Sequence, residues 1–141
     1  MLAHIASHLP DEINRYYEPF IGGGACFFRF APPTATLGDA NPELVHCWTM
    51  VRDRPDELIE ALRVHVYEKD YYYSVRAIQP GDLPPIERAA RTVFLNRTGF
   101  NGLYRVNKSG GFNVPFGRYT NPLICDETNI RACSEFLQET D

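Results

Sequence analysis

Apolar and polar positions along the chain change period several times, and each change marks an element. Leu2, Ile5, Ala6 and Leu9 recur at helical spacing until Pro10, which predicts a short amphipathic helix. Arg15 to Ile21 reads as a strand, Gly22-Gly23-Gly24 as a turn, and Ala25 to Phe30 as a helix. A second strand is expected over Thr34 to Gly38, ending at Asp39. Asn41-Pro42-Glu43 combines a capping Asn, a proline in the first helical position and an acid in the first turn. Leu44, Val45, Trp48 and Val51 then supply an apolar stripe. Arg54-Pro55-Asp56-Glu57 opens another helix, continued by Leu58, Ile59, Leu62 and Val66. Tyr71 to Ile78 fits a helix or an extended segment equally. Pro80-Gly81 breaks it, and Pro84-Pro85-Ile86-Glu87 opens a helix through Ala89, Ala90, Val93 and Phe94. Leu103 to Val106 and Gly111 to Val114 flank Asn107-Lys108-Ser109-Gly110, the pattern of a β-hairpin. Asp126 to Leu137 predicts a last short helix. A chain that alternates strand and helix should return to its sheet by about Arg54, whereas this one inserts a helical cluster, which points to a second module.

Charge changes the picture in one place. The chain is acidic overall, with a net charge of −4 and a sequence pI near 5.5. That balance excludes a protein that coats nucleic acid by bulk attraction. Yet Arg88 to Cys125 holds six basic residues (Arg88, Arg91, Arg97, Arg105, Lys108 and Arg118) and no Asp or Glu. One concentrated positive segment in an acidic protein is where a polyanion would bind. Within it, Phe94 to Tyr119 interleaves Asn, Gly and Arg with aromatics.

Other bulk features are unremarkable. No run approaches the roughly 18 apolar residues of a membrane span, and the opening residues lack the basic and apolar regions of a signal peptide, so a cytoplasmic protein is expected. Cys26, Cys47, Cys125 and Cys133 fall singly, as reduced thiols would. His4 and His8 sit four apart, a spacing that suits metals, but no third ligand is near and solvent-exposed histidines are the expectation.

The strand, glycine turn and helix form the first half of a nucleotide-binding unit. Glycines there let backbone approach a ligand closely. Asp39, 17 positions past Gly22, is placed to accept from ribose hydroxyls. The third glycine of a dinucleotide fingerprint is replaced by Phe27, and Pro19-Phe20 is unlike a pyrophosphate cradle. An adenosine-bearing ligand without a pyrophosphate, such as S-adenosylmethionine, fits better. The alternative is that the glycines only make a tight turn.

Four stretches stand out: Tyr17-Glu18-Pro19-Phe20-Ile21-Gly22-Gly23-Gly24; Gly38-Asp39-Ala40-Asn41; Leu95-Asn96-Arg97-Thr98-Gly99-Phe100-Asn101-Gly102-Leu103-Tyr104-Arg105; and Phe112-Asn113-Val114-Pro115-Phe116-Gly117-Arg118-Tyr119. Together they resemble the Dam-type DNA adenine methyltransferases. The resemblance implies an α/β fold, a partial Rossmann-like S-adenosylmethionine-dependent lobe with an inserted, mainly helical domain carrying a β-hairpin. It implies a cofactor lobe over 1–42, a target-recognition domain over 43–124 and a return segment over 125–141. S-adenosylmethionine would lie on Glu18, Phe20, Ile21, Gly22, Gly24, Asp39 and Ala40. Double-stranded DNA would meet Arg97, Phe100, Asn101, Leu103, Arg105, Asn107, Pro115, Arg118 and Tyr119. In these roles Arg105 reads a base, Leu103 and Pro115 pack on bases, Asn101 and Arg118 hold phosphates, and Phe100 wedges into the duplex beside a flipped adenine. The readers resemble those of a GATC-type site.

An arginine fork suits guanine O6 and N7, and an aromatic wedge offsets part of the unstacking that flipping requires. Otherwise Arg105 would be a surface charge and Phe100 a core aromatic. The family's Asp/Asn-Pro-Pro-aromatic tetrapeptide, which accepts from the target amine, does not occur. Pro32-Pro33 and Pro84-Pro85 lack its flanking residues, and Asn113-Val114-Pro115-Phe116 has one proline too few. The expectation is therefore the first half of a site-specific adenine-N6 methyltransferase, not catalytic alone. A second chain supplying the other half, or an inactive DNA-binding remnant, are the alternatives, and a structural S-adenosylmethionine-binding domain is a third.

Overall fold

The computed structural model describes residues 2–10 and 12–140, without the Leu2 side chain, so the apolar contact expected of Leu2 lies outside the described residues. Helix α1 (Leu2–Ala6) is followed by strand β1 (Tyr16–Glu18), helix α2 (Ala25–Phe30) and strand β2 (Ala35–Leu37). The strands are parallel, with Tyr16 opposite Ala35, Tyr17 opposite Thr36 and Glu18 opposite Leu37. Among the described residues five more α-helices follow: α3 (Pro42–Asp53), α4 (Pro55–Arg63), α5 (Lys69–Ala77), α6 (Pro85–Thr98) and α7 (Glu127–Glu139). The result is a mixed architecture of helices and one small parallel sheet, compatible with the α/β class expected.

Local chemistry explains where these helices begin. The Asn41 side chain accepts from the Glu43 N–H at 3.0 Å, and Pro42 occupies a position that needs no donor. Pro55 and Pro85 do the same for α4 and α6. The segment from Tyr71 to Ile78 resolves as helix to Ala77, because Tyr72 and Val75, three apart, both bury against Phe94 and Leu95. Helix α4 stops at Arg63, so Val66 lies outside it and is exposed.

Two apolar clusters share α6. One gathers Phe27 of α2, Val51 of α3, Leu58, Ile59 and Leu62 of α4, Ala89 and Ala90 of α6, and Ile130 and Leu137 of α7. The other gathers Tyr72, Val75, Phe94 and Leu95, with Phe112 and Phe116 packed against it. Tyr16, Ala35 and Leu37 lay one face of the sheet on the first cluster, whereas Tyr17 on the other face is 64% exposed. No helix among the described residues is long and apolar enough to cross a membrane.

Candidate functional site

The glycine turn is held by its own backbone and by two distant side chains. Past β1, Gly38 N–H donates to the Glu18 carbonyl and Ile21 N–H to the Gly38 carbonyl, both at 2.9 Å, so pairing continues to the turn. Gly22 and Gly24 take positive φ values of 48° and 73°, the left-handed region that favours glycine. A Cβ on Gly24 would lie 2.7 Å from Cε2 of Phe28, whereas one on Gly22 or Gly23 would meet nothing within 4 Å. The turn is therefore packed behind and open in front. The indole of Trp48 donates to the Gly22 carbonyl at 2.9 Å, fixing the turn from 26 positions away.

Asp39 ties this turn to the start of α3. Its Oδ2 accepts from Gly22 N–H and its Oδ1 from Asn41 N–H, each at 2.9 Å. These backbone donors, that of Asn41 foremost, hold the carboxyl below its usual range. The group stays ionised, and each oxygen keeps capacity for a further donor. Around this acid, Phe20 is 77% exposed, Ile21 is buried and Ala40 is exposed. The Glu18 carboxylate accepts from the Tyr16 hydroxyl at 2.9 Å.

The second feature is a loop from Gly99 to Tyr119, anchored at its base and free at its tip. Gly99 and Phe116 form an antiparallel bridge, Phe100 N–H donates to the Pro115 carbonyl, and Gly117 N–H donates to the Thr98 carbonyl. Helix α5 and the residues before it then clamp the base through side chains. The Tyr72 hydroxyl and the Arg76 guanidinium both donate to the Val114 carbonyl, at 2.9 and 3.0 Å. The Tyr67 hydroxyl donates to the Gly117 carbonyl and accepts from Tyr119 N–H, both at 2.8 Å. The Tyr119 hydroxyl reaches the Gly99 carbonyl at 2.8 Å.

The expected hairpin is present but lacks a regular ladder. Val106 and Phe112 form an isolated bridge, and Asn113 N–H donates to the Arg105 carbonyl at 3.0 Å. At the tip, the Asn107 side chain accepts from Ser109 and Gly111 N–H groups, so it takes up donors that a ladder would use. Residues 101–110 are all exposed, without the buried face that would lock a register.

Among the expected DNA-contacting residues, Phe100, Asn101, Pro115, Arg118 and Tyr119 line one open cavity of about 380 Å³. Leu103, Arg105 and Asn107 stand on the exposed hairpin beside it. The Arg105 guanidinium is pre-set by Asn113, whose side chain accepts from Nε at 2.7 Å and whose carbonyl accepts from Nη2 at 3.2 Å. Arg97 is not in this group. It points toward α7, with Nη2 3.9 Å from Asp126.

The structure also divides the basic segment. Arg88 forms a two-point pair with Glu43 at 2.6 and 3.0 Å. Arg91 is 4% exposed and donates to the Val75 and Arg76 carbonyls in the last turn of α5. The positive surface is thus Arg105, Lys108 and Arg118, while Arg88 and Arg91 build the frame. Trp48, Tyr67, Tyr72 and Asn113 position the two sites and had no signal in sequence spacing. The four cysteines are unpaired, and burial pushes the Cys47 thiol up to about 12. His4 and His8 are exposed, and His8 Nδ1 lies 2.8 Å from the His4 carbonyl.

A type II methyltransferase of Lactococcus lactis subsp. cremoris, M1.LlaDCHI, is 45% identical over 97% of this chain and 50% of its own length. A type II methyltransferase of Methanocaldococcus jannaschii, M.MjaIII, is 39% identical over 98% of this chain and 55% of its own. The DNA adenine methylase of Escherichia coli is 38% identical over 86% of this chain and 45% of its own. The chain spans about half the length of these curated relatives. The family model described as D12 class N6 adenine-specific DNA methyltransferase matches residues 1–141, and the chain belongs to that family.

Proposed function

We propose that this chain supplies the cofactor turn and the target-recognition loop of a site-specific DNA adenine-N6 methyltransferase. The observation that carries the reading is the anchored, acid-free loop from Gly99 to Tyr119. It gathers the exposed Phe100, the pre-set Arg105 and the exposed Arg118 on one hydrogen-bonded base. Residues 1–42 and 125–141 belong to a Rossmann-like lobe, and 43–124 form the inserted recognition domain. The two parts share the core around Phe27, Val51 and Ile130.

S-adenosylmethionine fits the glycine turn, since Gly22 and Gly23 leave open space where side chains would stand and Asp39 remains an ionised acceptor. Bound there, it supplies the transferable methyl group. Asp39 accepts from ribose hydroxyls, Phe20 offers an exposed ring for stacking, and Gly22 and Gly24 shape the backbone, with Glu18, Ile21 and Ala40 lining the approach.

On the DNA side, Arg105 presents the rest of its guanidinium fork to a guanine edge. Leu103 and Pro115 pack on bases, Asn101, Asn107 and Arg118 hold backbone, and Phe100 wedges into the stack with Tyr119 beside it. Because these 141 residues contain no Asp/Asn-Pro-Pro-aromatic tetrapeptide, they are expected to hold ligands without transferring a methyl group on their own.

The test is fluorescence anisotropy with Arg105→Ala on a GATC duplex and on a scrambled one. Loss of about 1–3 kcal/mol on the first and little on the second is expected. Equal loss on both would reduce Arg105 to a phosphate contact. Calorimetry with S-adenosylmethionine should show weaker binding in Asp39→Ala, and unchanged affinity would remove Asp39 from the site.

A further inference from the structure

The turn from Ile21 to Gly24 closes with Gly24 N–H donating to the Ile21 carbonyl at 2.7 Å, so Gly22 and Gly23 are its central residues. Gly22 has a φ of 48°, whereas Gly23 does not take a positive φ. That combination is the pattern of a type II′ turn. Two successive glycines also permit type I′, which keeps the same ends and flips the central peptide. Nothing in the pair itself chooses between the two. The choice comes from α3. The central peptide carries the Gly22 carbonyl, and the Trp48 indole donates to that carbonyl at 2.9 Å. The preceding peptide is fixed separately, because Gly22 N–H donates to Asp39 Oδ2. The indole is braced in turn by Phe28, with ring centroids 5.4 Å apart.

In a trans peptide the C=O and N–H point in opposite directions, so a carbonyl held toward Trp48 turns the Gly23 N–H away from it. Gly23 is exposed, a Cβ there would meet nothing within 4 Å, and among the described residues its N–H has no hydrogen-bond partner. We propose that Trp48 is a positioning residue for the cofactor. By holding the central peptide in one orientation, it presents the Gly23 N–H to an acceptor atom of bound S-adenosylmethionine. This rests on the reading of the glycine turn as the cofactor site, and it gives a helix of the recognition domain a part in cofactor affinity. Without the indole donor the peptide populates both orientations, and the cofactor binds only the fraction that faces it.

Trp48 is the only tryptophan in the chain, so replacing tryptophan throughout alters this position alone. Benzothienylalanine puts sulfur where the indole N–H stands and keeps the fused ring, whereas fluorotryptophan keeps the donor. Calorimetry with S-adenosylhomocysteine should show affinity about threefold to tenfold lower in the first, the factor that one hydrogen bond carries, and within about twofold of wild type in the second. Trp48→Phe should fall with the benzothienylalanine protein. NMR of isotope-labelled glycine supplies a readout that a merely structural role would not move. Saturation with S-adenosylhomocysteine should shift the wild-type Gly23 amide proton downfield, as a new hydrogen bond requires, and the benzothienylalanine protein should lose part of that shift. Unchanged affinity and an unchanged Gly23 response in that protein overturn the proposal, even with a lowered urea midpoint, because Trp48 would then brace the turn without serving the ligand. A wild-type Gly23 amide that does not respond to bound cofactor also overturns it, and this arm decides even where a replacement does not fold. A wild type that binds no cofactor overturns the reading of the site itself, and the proposal with it.

Discussion

At the scale of single residues, the glycine turn separates structural need from ligand need. Gly24 has a φ of 73° and would drive a Cβ into Phe28, so Gly24→Ala should cost about 1–3 kcal/mol of stability. Gly23 has neither constraint. Gly23→Ala should leave the denaturation midpoint unchanged and still weaken S-adenosylmethionine binding. Chemical denaturation and calorimetry on the pair check this, and equal stability losses would mean that the turn is packed on both sides. Single residues are also where sequence reading reached least far. Arg91 looked like part of a DNA-binding patch, but its partners are carbonyls 15 and 16 positions away. Arg88 is neutralised by an acid 45 positions away. No local pattern reveals a cation that folds inward, because burial is decided by elements the charge has not yet met.

At the scale of elements, the helices were legible because their starts are written locally. Asn41-Pro42, Pro55 and Pro85 each satisfy or remove first-turn donors, and the structure begins helices there. The hairpin was legible as a turn but not as an irregular one, since the Asn107 side chain competes with the ladder it was expected to sit between. Its clamp was invisible in sequence, as Tyr67 and Tyr72 act across 50 and 42 positions. The clamp depends on close approach at Gly117, where a Cβ would stand 2.8 Å from the Thr98 carbonyl oxygen and 2.3 Å from the Tyr119 ring. Gly117→Ala should therefore cost about 1–3 kcal/mol and weaken binding to every duplex. Tyr72→Phe should cost about 0.5–1.5 kcal/mol, because Arg76 still satisfies the Val114 carbonyl. Thermal melts with anisotropy on the same samples test both. Full binding in a destabilised Gly117→Ala would detach the clamp from recognition.

At the scale of the whole molecule, acidity should matter through His65. Its ring stacks on Phe94 at 4.5 Å, and burial lowers its pKa from the ordinary 6.5. A histidine that protonates more readily unfolded than folded contributes its stability above the unfolded value and loses it as pH falls below. The melting midpoint should thus drop between about pH 7 and pH 5, and less so in His65→Phe, which keeps the stack. Parallel curves for the two proteins would exclude His65 as the source.

The same scale holds the central claim, that an acidic molecule meets DNA through one narrow surface. Arg105, Lys108 and Arg118 lie on that surface, while Asp56, Glu57, Glu60 and Glu87 line a groove where α4 and the start of α6 meet. Photocrosslinking to an iodouracil-substituted GATC duplex, followed by peptide mapping, reads the surface directly. Crosslinks should fall within Phe100 to Tyr119, at Phe100 and Tyr119 above all. Crosslinks confined to the rest of the chain, or none from a folded protein, would contradict the account.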